Sequence, residues 1–135
     1  MSEKYSFNVK EGTFAEAILR TYGPLNFLQK FKEKYADQSF KILLNPKDGQ
    51  YAALINVENG KMTVEGIKNK PKEKLDKKTV GWDGFIETTI ALFDELGKGK
   101  LSQGDIAKKM VARKIKIKNV NVVAKLSEMM SFRDK

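Results

Sequence analysis

Tyr51-Ala52-Ala53-Leu54-Ile55-Asn56-Val57-Glu58-Asn59-Gly60-Lys61-Met62-Thr63-Val64 is the stretch on which the fold turns. Tyr51, Ala53, Ile55 and Val57 recur at every second position, the period of a strand with one buried face. Asn59-Gly60 is the residue pair of a two-residue primed turn, which needs positive φ at both central positions. A hairpin closed there pairs Val57 with Met62 and Ile55 with Val64, so one apolar face crosses both strands. Upstream, Phe40, Ile42 and Leu44 alternate in the same way, and Asn45-Pro46-Lys47-Asp48-Gly49 is a turn cluster. These runs predict a three-stranded meander.

On the N-terminal side, residues 1–12 read as a loose arm. Thr13-Phe14-Ala15-Glu16 reads as a capping box that opens a helix with Phe14, Ile18, Leu19 and Tyr22 on one face. Gly23-Pro24 breaks it, and Pro24 suits the first turn of a second helix carrying Phe27, Leu28, Phe31 and Tyr35. On the C-terminal side, residues 68–78 form a charged connector, expected to be the mobile loop. Thr79-Val80-Gly81-Trp82 reads as a short fourth strand. Asp83 reads as the N-cap of an apolar helix bearing Phe85, Ile86, Ile90, Leu92, Phe93 and Leu96, with Gly97 as its end. A short helix from Ser102 follows, with Ile106, Met110 and Val111 inward. Lys114-Ile115-Lys116-Ile117-Lys118 alternates strictly and reads as a half-buried strand. A last helix, from about Asn121, carries Val122, Val123, Leu126, Met129 and Met130. The expected form is α+β: a single layer of helices packed on one face of a roughly five-stranded antiparallel or mixed sheet. Residues 13–135 are expected to make one domain, a size that fits the 135-residue chain.

The chain has neither Cys nor His. That excludes disulfides, Cys/His zinc sites, thiol nucleophiles and imidazole acid–base chemistry. No P-loop, nucleophile elbow or clear dinucleotide fingerprint is present. No enzymatic activity, cofactor or metal is expected. Residues Met1-Ser2-Glu3-Lys4-Tyr5-Ser6-Phe7 lack the apolar run of a signal peptide, and no stretch is apolar for the length of a membrane span. A cytoplasmic location is the expectation.

Two constellations remain. The first is apolar excess on short C-terminal helices, rich in Met, which gives adaptable walls. It reads either as core or as the lining of an apolar pocket suited to lipid tails. The second is charge. The chain is +9 overall, and residues 98–125 alone are +8. Such a surface attracts anionic headgroups, phosphates or nucleic acid. It also reads as a solvated edge strand that discourages aggregation. Of the 26 basic residues only Arg20, Arg113 and Arg133 are Arg, and aromatic residues are not interleaved with the lysines. Both features count against base reading and single-strand stacking.

The order of elements resembles the sterol carrier protein 2 family. The residues that carry the resemblance are the apolar run 85–96, Gly99-Lys100-Leu101, the short helix 102–112, the Lys114–Lys118 alternation and Ala124-Lys125-Leu126. The meander, and Asp76 before Thr79-Val80, are also similar. The family has Gly before and after the alternating strand, where Arg113 and Asn119 stand here; Asn tolerates the left-handed conformation such a site requires. The resemblance implies a non-enzymatic lipid-binding domain. Its five-stranded sheet backs helices around an apolar tunnel for sterols, fatty acids, acyl-CoA or phospholipids.

The leading expectation is therefore a carrier of a sterol-like, fatty-acyl or isoprenoid chain. Ile55, Val64, Phe85, Ile90, Phe93, Met110, Leu126, Met129 and Met130 are expected to line the cavity. Lys114, Lys116, Lys118 and Lys125 are expected to form a basic rim facing an acidic headgroup or an anionic membrane. The alternatives are a basic nucleic-acid-binding module and an accessory subunit that presents an apolar substrate to a partner enzyme.

Overall fold

The computed structural model describes residues 13–69, 75, 77–97, 103–126, 128 and 129. The expected arm at residues 1–12 lies outside them. Helix α1 (Phe14–Tyr22) starts at Thr13, whose hydroxyl accepts from the Glu16 N–H at 3.4 Å, as the capping box predicts. Ala15, Ile18 and Tyr22 face inward. Gly23–Phe27 is a 3-10 turn rather than the start of a longer helix, and α2 (Gln29–Lys34) follows it. Phe31 and Tyr35 are buried as expected, whereas Phe27 is exposed.

The meander is β1 (Ser39–Pro46), β2 (Tyr51–Glu58) and β3 (Lys61–Lys68), each antiparallel to the next. Val57 pairs with Met62 and Ile55 with Val64, the register set by Asn59-Gly60. Both turn residues have positive φ, +53° and +79°. At Gly60 a Cβ would also come within 2.8 Å of the Lys32 carbonyl oxygen, so the turn packs against α2 as well as closing the hairpin.

Downstream, α3 (Lys77–Val80) precedes β4 (Gly84–Thr88), α4 (Ile90–Gly97), α5 (Gln103–Val111), β5 (Lys116–Lys118) and α6 (Val120–Val123). The sheet order is β3-β2-β1-β4-β5, with β1 and β4 parallel and the other pairs antiparallel. This is the expected α+β mixed five-stranded sheet. Two of its parts differ from expectation. The fourth strand is 84–88, not 79–82, and the apolar helix begins at Ile90, not before Phe85. Asp83 does not cap a helix. Its carboxylate accepts from the Lys41 N–H at 2.8 Å, and its own N–H donates to the Lys41 carbonyl at 2.7 Å, so it aligns β4 beside β1. The physical reason is burial: every residue of β4 is buried. A strand covered on both faces shows consecutive apolar residues and loses the period of two.

The first face of the sheet carries Phe40, Ile42, Leu44, Ala53, Ile55, Val57, Met62, Val64 and Ile86. Helix α1 lies over β2 and β3, and α6 lies over β1, β4 and β5. The second face carries a smaller cluster of Leu43, Ala52, Leu54 and Phe85, covered by Leu75 and Trp82. The Trp82 indole N–H donates to the Leu75 carbonyl at 2.8 Å. The connector expected to be mobile thus places a buried leucine against the sheet. No described helix is long and apolar enough to cross a membrane.

Candidate functional site

The first face is where most of the expected lining residues meet. Ile55 and Val64 are paired on neighbouring strands. Phe93 of α4 joins them in one buried cluster with Leu126 and Met129, and Met110 of α5 packs against its margin. Phe93 also stacks on Phe14 of α1, with ring centroids 4.9 Å apart at 48°. This contact ties the N-terminal helix to the C-terminal half across the apolar face. Phe14 belongs with the site. Its place on the apolar side of α1 was the only sequence signal for it.

Three expected lining residues do not join this group. Phe85 is on β4 and points to the second face, where it packs against Trp82 with centroids 5.4 Å apart. Its neighbour Ile86 takes the first-face position that a helical reading gives to both. Ile90 is 44% exposed at the start of α4. Its N–H is held by the Asp48 carboxylate at 2.9 Å, which points that end of the helix toward the β1–β2 turn. Met130 lies outside the described residues.

The C-terminal segment is fastened over the first face by polar contacts at the α2–β1 junction. The Tyr35 hydroxyl donates to the Glu128 carboxylate. Burial, and then the bond to the Glu128 anion and its charge, push the Tyr35 hydroxyl well above the ordinary phenol range. Lys125 donates to the Gln38 side-chain oxygen at 3.0 Å, and its ammonium stands 5.3 Å from the Phe40 ring centroid. Tyr35 itself packs between Phe31 and Phe40. Sequence reading passed over Glu128, since an acid beside apolar helix positions carries no signal until its partner is known.

The four lysines of the expected rim do not form one ring. Lys125 reaches back toward Gln38. Lys116 and Lys118 pair with Glu87 and Phe85, which places them on the second face. The Lys118 ammonium lies 5.8 Å from the Phe85 ring and 6.0 Å from Trp82. Lys114 is exposed, and its carbonyl accepts from the buried Thr88 hydroxyl at 2.7 Å. Also on the second face is a buried polar group. Asn45 donates to the Glu87 carboxylate at 2.7 Å, and Asn69 donates to the Asn45 side-chain oxygen at 2.9 Å. Glu87 lies on the doubly buried strand β4 and is 7% exposed. Among the described residues, no group of three acidic side chains is placed to hold a metal ion.

No family model matches the chain, and no curated protein matches it. Solved structures do. The UbiJ-SCP2 ubiquinone synthesis protein superposes with a TM-score of 0.56 over 85% of this chain and 86% of that one, at 8% identity. The fold is that of an SCP2 domain. The stereoselective inverting sec-alkylsulfatase Pisa1 from Pseudomonas sp. superposes with a TM-score of 0.53 at 16% identity. That match covers 75% of this chain but only 14% of the sulfatase, so the chain spans a small part of that enzyme's length. A double mutant of the same sulfatase gives the same figures. At these identities the shared property is the SCP2-like fold.

Proposed function

We propose that the protein is a non-enzymatic, cytoplasmic lipid carrier. Its ligand is a sterol-like, fatty-acyl or isoprenoid chain, held in an apolar tunnel between the first face of the sheet and the helices over it. The observation that carries the reading is the joining of Ile55, Val64, Phe93, Leu126 and Met129 in one apolar cluster of an SCP2-like fold, with Met110 at its margin. Each chain carbon removed from water contributes about 0.8 kcal/mol, so a long tail binds without a strong polar contact. Met110 and Met129 supply walls that adapt to different chains.

A related reading keeps the same site and changes its use. The UbiJ-SCP2 structure is that of a ubiquinone synthesis protein. By analogy of fold, this domain holds an isoprenoid substrate for a partner enzyme. A nucleic-acid module is not favoured, because the lysines are neither accompanied by Arg forks nor interleaved with stacking aromatics.

Uptake of a fluorescent fatty acid tests the site. Phe93→Asp places a charge inside the cluster and abolishes uptake. Met110→Asp, at a half-buried margin where folding tolerates it, weakens uptake strongly. Full uptake by both folded variants would overturn the assignment.

A further inference from the structure

Three hydroxyl side chains are buried among the described residues: Tyr22, Tyr35 and Thr88. Two of them are used within the fold. Tyr35 donates to the Glu128 carboxylate, and Thr88 donates to the Lys114 carbonyl at 2.7 Å. Tyr22 is 6% exposed, and its hydroxyl has no hydrogen-bond partner among the described residues. The polar side chains near it in the chain are already engaged. Thr21 donates to the Ala17 carbonyl at 2.9 Å, and Asn26 uses both ends of its amide on Met62. A tyrosine hydroxyl withdrawn from water ordinarily finds a partner. A phenylalanine would fill nearly the same volume without the cost of an unpaired hydroxyl.

Tyr22 belongs to the same buried cluster as Ile55, Val64, Phe93, Leu126 and Met129. It ends the inward side of α1, the helix whose first residue, Phe14, stacks on Phe93. Phe14 and Tyr22 stand at the two ends of that helix, about 12 Å apart along its axis. A lipid whose chain lies against Phe93 spans that distance and brings its other end to Tyr22. The position is electrically neutral. Burial, with no neighbouring charge, pushes the Tyr22 hydroxyl up to about 12 from an ordinary 10, so it keeps its proton. It donates one hydrogen bond and accepts others. With no cation acting on it, the position gives a buried carboxylate nothing to balance its charge. An uncharged oxygen carries no such cost.

We propose that the Tyr22 hydroxyl is the polar contact for the head of the ligand, and that this head is an uncharged oxygen: the hydroxyl of an alcohol or the carbonyl of an ester or ketone. This deepens the carrier reading and rests on it, because it names the class of head that accompanies the apolar chain. A free fatty acid binds through its chain and makes no use of Tyr22.

The test is displacement of a fluorescent fatty acid from the full chain by hexadecanol, methyl hexadecanoate and hexadecanoic acid, repeated with Tyr22→Phe. The substitution is expected to weaken hexadecanol and methyl hexadecanoate by at least about fivefold, and hexadecanoic acid by less than about twofold. The second readout is the infrared carbonyl stretch of bound methyl hexadecanoate, isotope-labelled at its carbonyl carbon. In the unaltered chain it is expected below the frequency of the same ester in a hydrocarbon, because a hydrogen bond weakens the carbonyl bond. In Tyr22→Phe it is expected to rise to the hydrocarbon value, a change that altered packing alone does not produce. Equal weakening of all three ligands, or of none, would overturn the proposal. So would a bound carbonyl band already at the hydrocarbon value in the unaltered chain. Direct uptake separates the two readings. No uptake of the fluorescent fatty acid overturns the carrier reading and this inference with it; uptake with displacement indifferent to Tyr22→Phe overturns this inference alone.

Discussion

Arg113 and Asn119 carry the same left-handed backbone, φ +62° at each, and flank β5 on its two sides. These are the two positions where the resembling family places Gly. The backbone requirement is thus kept while the residue that meets it most easily is not. Asn119 is suited to the site, and its side-chain amide also donates to the Asp83 carbonyl at 2.9 Å. Arg113 has no such fit. Its turn brings the N–H groups of Lys114 and Ile115 to the Lys109 carbonyl at 2.8 and 3.3 Å. Arg113→Gly therefore stabilises the protein by about 0.5–1 kcal/mol, and Asn119→Ala destabilises it by about 1–2 kcal/mol. Urea unfolding of both variants checks the opposite signs.

Asn26 seals an edge of the sheet. Its side-chain oxygen accepts from the Met62 N–H at 2.7 Å, and its amide donates to the Met62 carbonyl at 2.9 Å. The amide thereby takes the place of a neighbouring strand at that point of β3. Asn26→Ala leaves both backbone groups without these partners, costs about 1–3 kcal/mol and opens the edge to pairing. Thermal melts would show the loss, and light scattering would show concentration-dependent association.

Leu75 anchors the charged connector. It is buried against Leu43, Ala52 and Leu54 beneath the Trp82 ring. Leu75→Ala should cost about 2–4 kcal/mol, as a core deletion does. A freely moving connector would make that substitution nearly silent in a denaturant titration. Trp82 is the single tryptophan, so its fluorescence reports the same cluster directly.

Alkali should weaken the fold through two tyrosines. Burial pushes the Tyr22 hydroxyl up to about 12 from an ordinary 10, and Tyr35 is raised further by burial and Glu128. Each folded hydroxyl holds its proton above the pH at which the unfolded one releases it. The stabilisation is fully present below pH 10 and, for Tyr22, is lost as pH rises through about 12. Tyr22→Phe flattens that decline. Urea midpoints compared below and above pH 10 for the two proteins measure it.

Sequence made the meander legible because turn chemistry and period agree there. Asn59-Gly60 demands one register, and the alternation of Ile55, Val57, Met62 and Val64 accepts only that register. The Lys-apolar alternation 114–118 made a strand legible from its period alone, although β5 takes only Lys116–Lys118 of it. The 79–97 region was not legible. Phe85 and Ile86 point to opposite faces of a doubly buried strand, and the apolar run continues into α4, so local pattern cannot separate strand from helix. One misplaced boundary then put Phe85 on the wrong side of the sheet. Grouping Lys114, Lys116, Lys118 and Lys125 as one rim failed differently. Strand parity puts Lys116 and Lys118 on the second face, Lys114 precedes the strand, and Lys125 is drawn to Gln38, a contact that sequence spacing cannot foresee.

The carrier account is tested most directly by the native mass of the freshly purified protein, set against its denatured mass. The account predicts an added mass that is released on denaturation and identified as a fatty-acyl, sterol-like or isoprenoid lipid. Equal native and denatured masses, together with no uptake of a fluorescent fatty acid by the same sample, would contradict it.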